Sequence, residues 1–169
     1  MKIAIKDANI LIDLVNGDLL EPCLGLPYDF ATTEAVLLQL EVETQWEAVQ
    51  PFIQRGVIAV EQLSSKELES IAEDPLLTKL DVTDLGTMYV ARRETAILLT
   101  GDLDLRKEAA RGGIRVHGLL WILDQLIETG KLSSKISAKK LRLVLAKGAF
   151  LPHKECIERL AQWEKEDKD

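Results

Sequence analysis

Apolar positions along the chain change their spacing repeatedly, and each change marks an element. Residues 2–6 (Lys-Ile-Ala-Ile-Lys) are a short apolar run closed by charge, after which Ile10, Leu11, Leu14 and Val15 repeat at helical spacing. Asp7 stands at the join, so the pattern predicts a strand that turns straight into a helix with an acid at the turn. Pro22, Gly25 and Pro27 punctuate a loop, and Tyr28 to Ala31 predict a second brief strand. Thr32 or Thr33 can cap one long helix running to about Gln50, with Val36, Leu37, Leu40 and Val42 among its apolar positions. Pro51 and Gly56 bracket its end, and Val57 to Val60 follow as a third strand.

Ser64 followed by Glu67 is a capping-box pattern that opens another helix, with Pro75 in a break near its end. Thr83 or Asp84 starts the next helix, whose Leu85, Met88 and Tyr89 are expected to face inward. Residues 96–100 (Ala-Ile-Leu-Leu-Thr) form the continuous apolar run of a central parallel strand. Gly101 to Asp104 turn into a helix rich in Arg and Lys, stopped by Gly112 and Gly113. Ile114 to Val116 predict a fifth strand, and Leu119, Leu120, Leu123, Leu126 and Ile127 a further core helix. Two amphipathic helices, separated by Gly148 and Pro152, fill the tail from about Ser137 to Glu166. The alternation predicts an α/β chain with one parallel five-stranded sheet flanked by helices on both faces, plus two C-terminal helices. Residues 1–130 are expected to form the principal domain, with 131–169 packed on it as a helical extension.

A chain of 169 residues can bury a core of its own, and 47% hydrophobic with 29% charged residues is a globular composition. No window approaches the roughly 18 uninterrupted apolar residues of a membrane span. The opening carries an acid inside its apolar run and reads as a strand and helix, not a signal peptide. Cys23 and Cys156 lie far apart without metal spacing, and are expected to be buried free thiols in a cytoplasmic protein. The net charge of −7 argues against a nucleic-acid partner only if the acids are spread evenly.

They are not. In an open parallel sheet the functional crevice lies beyond the carboxyl ends of the strands. Asp7 follows the first strand, Asp102 lies two residues beyond the fourth, and Asp104 two further on. Asp84 opens the helix leading into that fourth strand, 18 residues before Asp102. Carboxylates crowded into one crevice raise one another's pKa values, and a divalent cation relieves the conflict. Mg²⁺ and Mn²⁺ take oxygen ligands and keep several waters. Such an ion can activate water against a phosphate ester.

At these residues a resemblance becomes specific. Lys-Asp-Ala-Asn-Ile-Leu-Ile-Asp-Leu (6–14) is similar to the opening motif of PIN domains, and Thr-Gly-Asp-Leu-Asp-Leu (100–105) to their Thr-x-Asp-x-Asp signature. The order of elements fits over about residues 1–130, and the tail is similar to that of a longer prokaryotic subgroup related to VapC-type toxins. The resemblance implies a Mg²⁺- or Mn²⁺-dependent ribonuclease that leaves 5′-phosphate and 3′-hydroxyl ends. It assigns Asp7, Asp84 and Asp102 to the metal and Asp104 to an auxiliary role, with Asn9 and Thr100 orienting the carboxylates. The family's second acid, usually Glu, is replaced by Gln39, which is grouped with the orienting residues. Glu43, one turn on at i+4, is expected to substitute for it on the same helix face. The resemblance leaves room for a small antitoxin partner and for a homodimer.

Arg106 and Lys107, just beyond the acids, are candidates for RNA phosphate contacts, and Arg92 and Arg93 stand on the preceding helix. His117 and His153 lack a metal-spaced partner and read as structural. Trp46, Trp121 and Trp163 read as core or interface anchors rather than base-stacking platforms. Gln39 keeps a second function class open, a catalytically silent PIN scaffold that binds RNA or a protein. Its function would survive Asp7→Asn, whereas a nuclease would lose activity. A third class, an aspartyl phosphatase or receiver domain, wants acids after the first strand that Asp7-Ala8-Asn9 does not supply.

Overall fold

A computed structural model describes residues 3–166, with side chains from Asp7 to Lys165. Lys2, predicted to begin the first strand, lies outside the described residues. Strands β1 (Ile3–Lys6), β2 (Asp29–Thr33), β3 (Ile58–Glu61), β4 (Ile97–Leu99) and β5 (Val116–His117) are short, and lie in the order β3-β2-β1-β4-β5. Every pairing is parallel, with Ile5 opposite Ala31 on one side of β1 and Leu98 on the other.

Successive strand residues alternate between faces, and the sheet consequently divides the interior into two cores. Phe30, Ile58, Ile97 and Leu99 point into the larger one, and Ala31 and Leu98 into the smaller. Over the larger face lie α1 (Ala8–Asn16), α2 (Leu20–Leu24), α3 (Glu34–Leu38), α4 (Glu43–Gln54) and α8 (Leu119–Glu128). The C-terminal helices α9 (Ser134–Ala146) and α10 (His153–Glu166) join the same core through Leu141, Val144, Cys156 and Trp163. The other face is covered by α5 (Ser65–Ala72), α6 (Val82–Arg93) and α7 (Leu103–Arg111), which contribute Ile71, Leu85, Val90, Leu105 and Ala109. A 3-10 turn, Pro75–Thr78, occupies the predicted break. Each fully buried Leu or Ile contributes roughly 1.5–3 kcal/mol of transfer free energy. Both cysteines are buried and neither is in a disulfide, and among the described residues no helix is long and apolar enough to cross a membrane.

The predicted long helix after β2 does not form. It breaks between α3, which ends at Leu38, and α4, which begins at Glu43. Buried Val36 and Leu40 would share one face of a continuous helix, but buried Val49 would then lie about 180° away. All three reach the same core, so the chain must rewind between them. Helix α4 also continues through Pro51 to Gln54 instead of stopping there. Pro51 and Glu47 are both exposed, so the carbonyl that proline cannot bond stays accessible to water. The other boundaries shift by a residue or two: α6 starts at Val82 under an Asp81 cap, and His117 belongs to β5.

Candidate active site

From β1 the chain builds outward through β2 and β3 on one side, and through β4 and β5 on the other. The strand order therefore reverses between β1 and β4, which is where an open parallel sheet offers its ligand crevice. Asp7 leaves β1 at this point, its backbone N–H donating to the Leu99 carbonyl at 3.2 Å. Asp102 follows β4 across the same crevice. Both serve as helix caps. The Asp7 Oδ1 accepts the Ile10 N–H at 2.9 Å to start α1, and the Asp102 Oδ1 accepts the Leu105 N–H at 2.7 Å to start α7. Such caps are worth about 1 kcal/mol each, so the plain structural role and the chemical one fall on the same side chains. Thr100, fully buried, ties them together: its hydroxyl hydrogen-bonds Asp7 and accepts the Asp102 N–H at 3.1 Å.

Asp84 reaches the crevice from the first turn of α6. There it forms a reciprocal capping box with Asp81: the Asp84 N–H donates to Asp81 at 2.8 Å, and the Asp81 N–H to Asp84 at 3.3 Å. Burial raises the Asp84 carboxyl to about 6, helped by the charges of Asp81, Asp102 and Asp7. Asp7 is only 8% exposed. Its pKa is raised by burial and by Asp102, against the hydrogen bonds from Thr100 and from the Ile10 and Asn9 backbone, which lower it. Asp13, one and a half turns along α1, is raised to about 6 by burial and by Asp7. Among the described residues, no cationic side chain figures in the groups that shift these three carboxyls.

Asp13 and Asp81 are thus members of the acidic group that the sequence motifs do not single out. For Asp81 the signal was the Asp-x-x-Asp spacing of a capping box ahead of an apolar run. For Asp13 it was the spacing of Asn9, Asp13 and Asn16 along one side of α1. That polar side forms one wall of a cleft of about 460 Å³, closed by the 101–104 turn and by residues 147–150 between α9 and α10. Asp102 and Asp104 line this cleft, whereas Asp7 and Asp84 are not among its lining residues.

The remaining predicted residues fare differently. Asn9 meets Asp7 through its backbone N–H, and its exposed side chain lines the cleft. Asp104 is exposed and pairs with Lys107 at 4.0 Å. Gln39 and Glu43 do not share a helix face, because the chain break between α3 and α4 separates them. Both are exposed, and neither figures among the groups acting on Asp7, Asp13 or Asp84. The expectation that Glu43 follows Gln39 on one helix face is corrected accordingly. Arg93 is consumed by Glu61, Glu67 and Glu94 at 2.8–3.0 Å, and Arg92 lies over Tyr89. Arg106 donates to the Thr100 carbonyl at 3.2 Å and has no acidic partner among the described residues.

The donors suit a hard divalent cation, since all are carboxylate oxygens and no cation among the described residues figures in the shifts of Asp7, Asp13 and Asp84. Among the described residues no three His, Cys, Asp or Glu side chains are drawn close enough to form a ready-made cage. A hydrated Mg²⁺ needs only one or two direct carboxylates, the rest acting through water.

A family model for the PIN domain matches residues 3–165, so the match runs beyond residue 130 and through both C-terminal helices. No curated protein matches the chain. Among solved structures, a PilT N-terminus domain protein from the hyperthermophilic archaeon Sulfolobus solfataricus P2 is similar, with a TM-score of 0.51 at 16% identity. The likeness covers 75% of this chain and 94% of that one, and at this identity it speaks for the fold alone.

Proposed function

The chain belongs to the PIN-domain family, and from that premise we propose that it is a Mg²⁺- or Mn²⁺-dependent endoribonuclease. The observation that carries this is the convergence of Asp7, Asp84 and Asp102 at the β1/β4 reversal, where the charges of Asp102 and Asp7 raise their neighbours and no cation among the described residues offsets them. Asp7, Asp84 and Asp102 would hold the ion, which when bound supplies an activated water and offsets charge developing on the phosphoryl group. Thr100 fixes the separation of Asp7 and Asp102 by bonding to both. Asp13, on the cleft wall with its carboxyl raised to about 6, is suited to accept a proton near neutral pH. Arg106, which has no acidic partner among the described residues, would meet a substrate phosphate. Asp104 is kept as an outer acid on the cleft rim.

A second reading, a silent scaffold, is favoured by one feature. Gln39 stands where the family's second acid is expected, and Glu43 is exposed on a separate helix. Mn²⁺ calorimetry together with cleavage of a mixed RNA pool separates the two. A nuclease binds the ion and cleaves, and loses both in the combined Asp7→Asn, Asp102→Asn variant. A wild-type chain that neither binds Mn²⁺ nor cleaves RNA is the scaffold.

A further inference from the structure

Beside the acidic cleft lies a second pocket of about 510 Å³, within the roughly 300–1,000 Å³ range of small-ligand sites. Gly101, Leu103 and Phe150 line both, so the two spaces share one wall. Leu103 is 57% exposed and Phe150 87% exposed. Two large apolar side chains therefore stand at the surface where the spaces meet. His117 and Trp121 also line the pocket, their rings stacked with centroids 4.4 Å apart and planes within 9°. Tyr28 continues the series, 5.7 Å from Trp121. Trp121, read from the sequence as a core or interface anchor, packs against the larger core and leaves part of its ring on the pocket wall.

One cation marks the junction. Arg106 lines the pocket and, among the described residues, donates to the carbonyl of Thr100, whose hydroxyl side serves the acids. The other guanidinium in the lining, Arg159, already donates to Asp124 from both Nε and Nη2 and pairs with Glu155. A flat ring stacks on an aromatic wall whatever its sequence identity, and an adjoining anion answers an unpaired guanidinium. We propose that this pocket seats one splayed-out nucleobase of single-stranded RNA, with the adjoining phosphate on Arg106 and the chain continuing into the acidic cleft. The identity of the polymer rests on the ribonuclease reading, whereas base binding does not. A base within a duplex cannot enter, since its faces are already stacked.

The test is tryptophan fluorescence of the full chain in EDTA, titrated with AMP, GMP, CMP and UMP and with a short single-stranded RNA. The nucleotides are expected to quench, and Trp121→Phe to lose most of that quench. Phe150→Ala, which alters an exposed side chain and should fold normally, is expected to weaken RNA binding about tenfold. Arg106→Gln should weaken nucleotide binding but leave a free nucleoside unaffected. No quench by any nucleotide or RNA, unchanged affinity in Phe150→Ala, or equal binding of duplex RNA overturns the proposal. An Asp7→Asn, Asp102→Asn variant that still quenches but no longer cleaves supports both ideas. Cleavage retained in that variant sinks the nuclease assignment and leaves the base pocket standing.

Discussion

The Thr100 hydroxyl is hydrogen-bonded to the Asp7 carboxylate, inside a crevice where burial alone would push that carboxyl strongly upward. The same oxygen accepts the Asp102 N–H, so one buried hydroxyl sets both acids. Thr100→Val keeps the volume and removes both bonds. A hydrogen bond to a charged group is worth about 1.5–3 kcal/mol, so Mn²⁺ affinity and cleavage rate should each fall by tenfold or more. Thr100→Ser should restore most of both. Calorimetry and initial rates decide it, and a valine variant indistinguishable from wild type would remove Thr100 from the site.

The acids also fix how stability responds to pH. Asp13 and Asp84 titrate at about 6 when folded, against 3.8 as the ordinary value. Between those values the folded chain binds more protons than the unfolded one, so stability falls as pH rises through about 4–6. Glu67, lowered by its bonds to Ser64, acts oppositely only below its ordinary 4.5, and the one His117 imidazole, lowered by burial, acts oppositely below its ordinary 6.5, against two carboxyls raised to about 6. The metal-free protein should therefore melt several degrees higher at pH 5 than at pH 7.5, each kcal/mol being worth about 2–4 °C at this size. Mn²⁺ should close the gap by raising the pH 7.5 value. A melting temperature that rises from pH 5 to pH 7.5 without metal would contradict the raised carboxyls.

Asp13→Asn separates this local effect from the general repulsion of an acidic chain. It removes one charge facing Asp7. The variant should gain melting temperature at pH 7.5 and little at pH 5. If Asp13 accepts a proton during cleavage, the rate should drop about 100-fold while Mn²⁺ binding changes little. A fall in both together would make Asp13 a metal ligand instead.

Glu43→Gln should leave cleavage within about twofold of wild type, since a surface substitution away from the site is nearly neutral. Glu43 also shows where the sequence was legible and where it was not. Asp7, Asp84 and Asp102 could be placed because strand ends and helix starts follow from local apolar periodicity. The i+4 link from Gln39 to Glu43 assumed a continuous helix, and it failed because Val36, Leu40 and Val49 all have to reach one core. Asp13 carries no assigned role in the sequence reading, and lies with Asn9 and Asn16 on the polar side of α1. It is half-buried because residues 101–104 and 147–150 close over it, a contact between segments far apart in the chain. The stack of His117 on Trp121 likewise depends on how β5 turns into α8 at Gly118.

Two arginines that look alike in sequence should behave in opposite ways. Arg93 holds β3, α5 and α6 together by bonding Glu61, Glu67 and the Gln62 carbonyl, as well as its neighbour Glu94. Its charge is already answered, so Arg93→Gln should lower the melting temperature by a few degrees at most, the group being partly exposed, and leave RNA affinity alone. Arg106 has no acidic partner among the described residues and lies where the two pockets meet. Arg106→Gln should weaken single-stranded RNA binding and reduce its dependence on salt by about one counterion, with little change in melting temperature. Binding isotherms at several salt concentrations, taken without divalent metal, distinguish the two. Equal loss of RNA affinity in both variants would mean that diffuse positive charge, not the placement of Arg106, holds the nucleic acid.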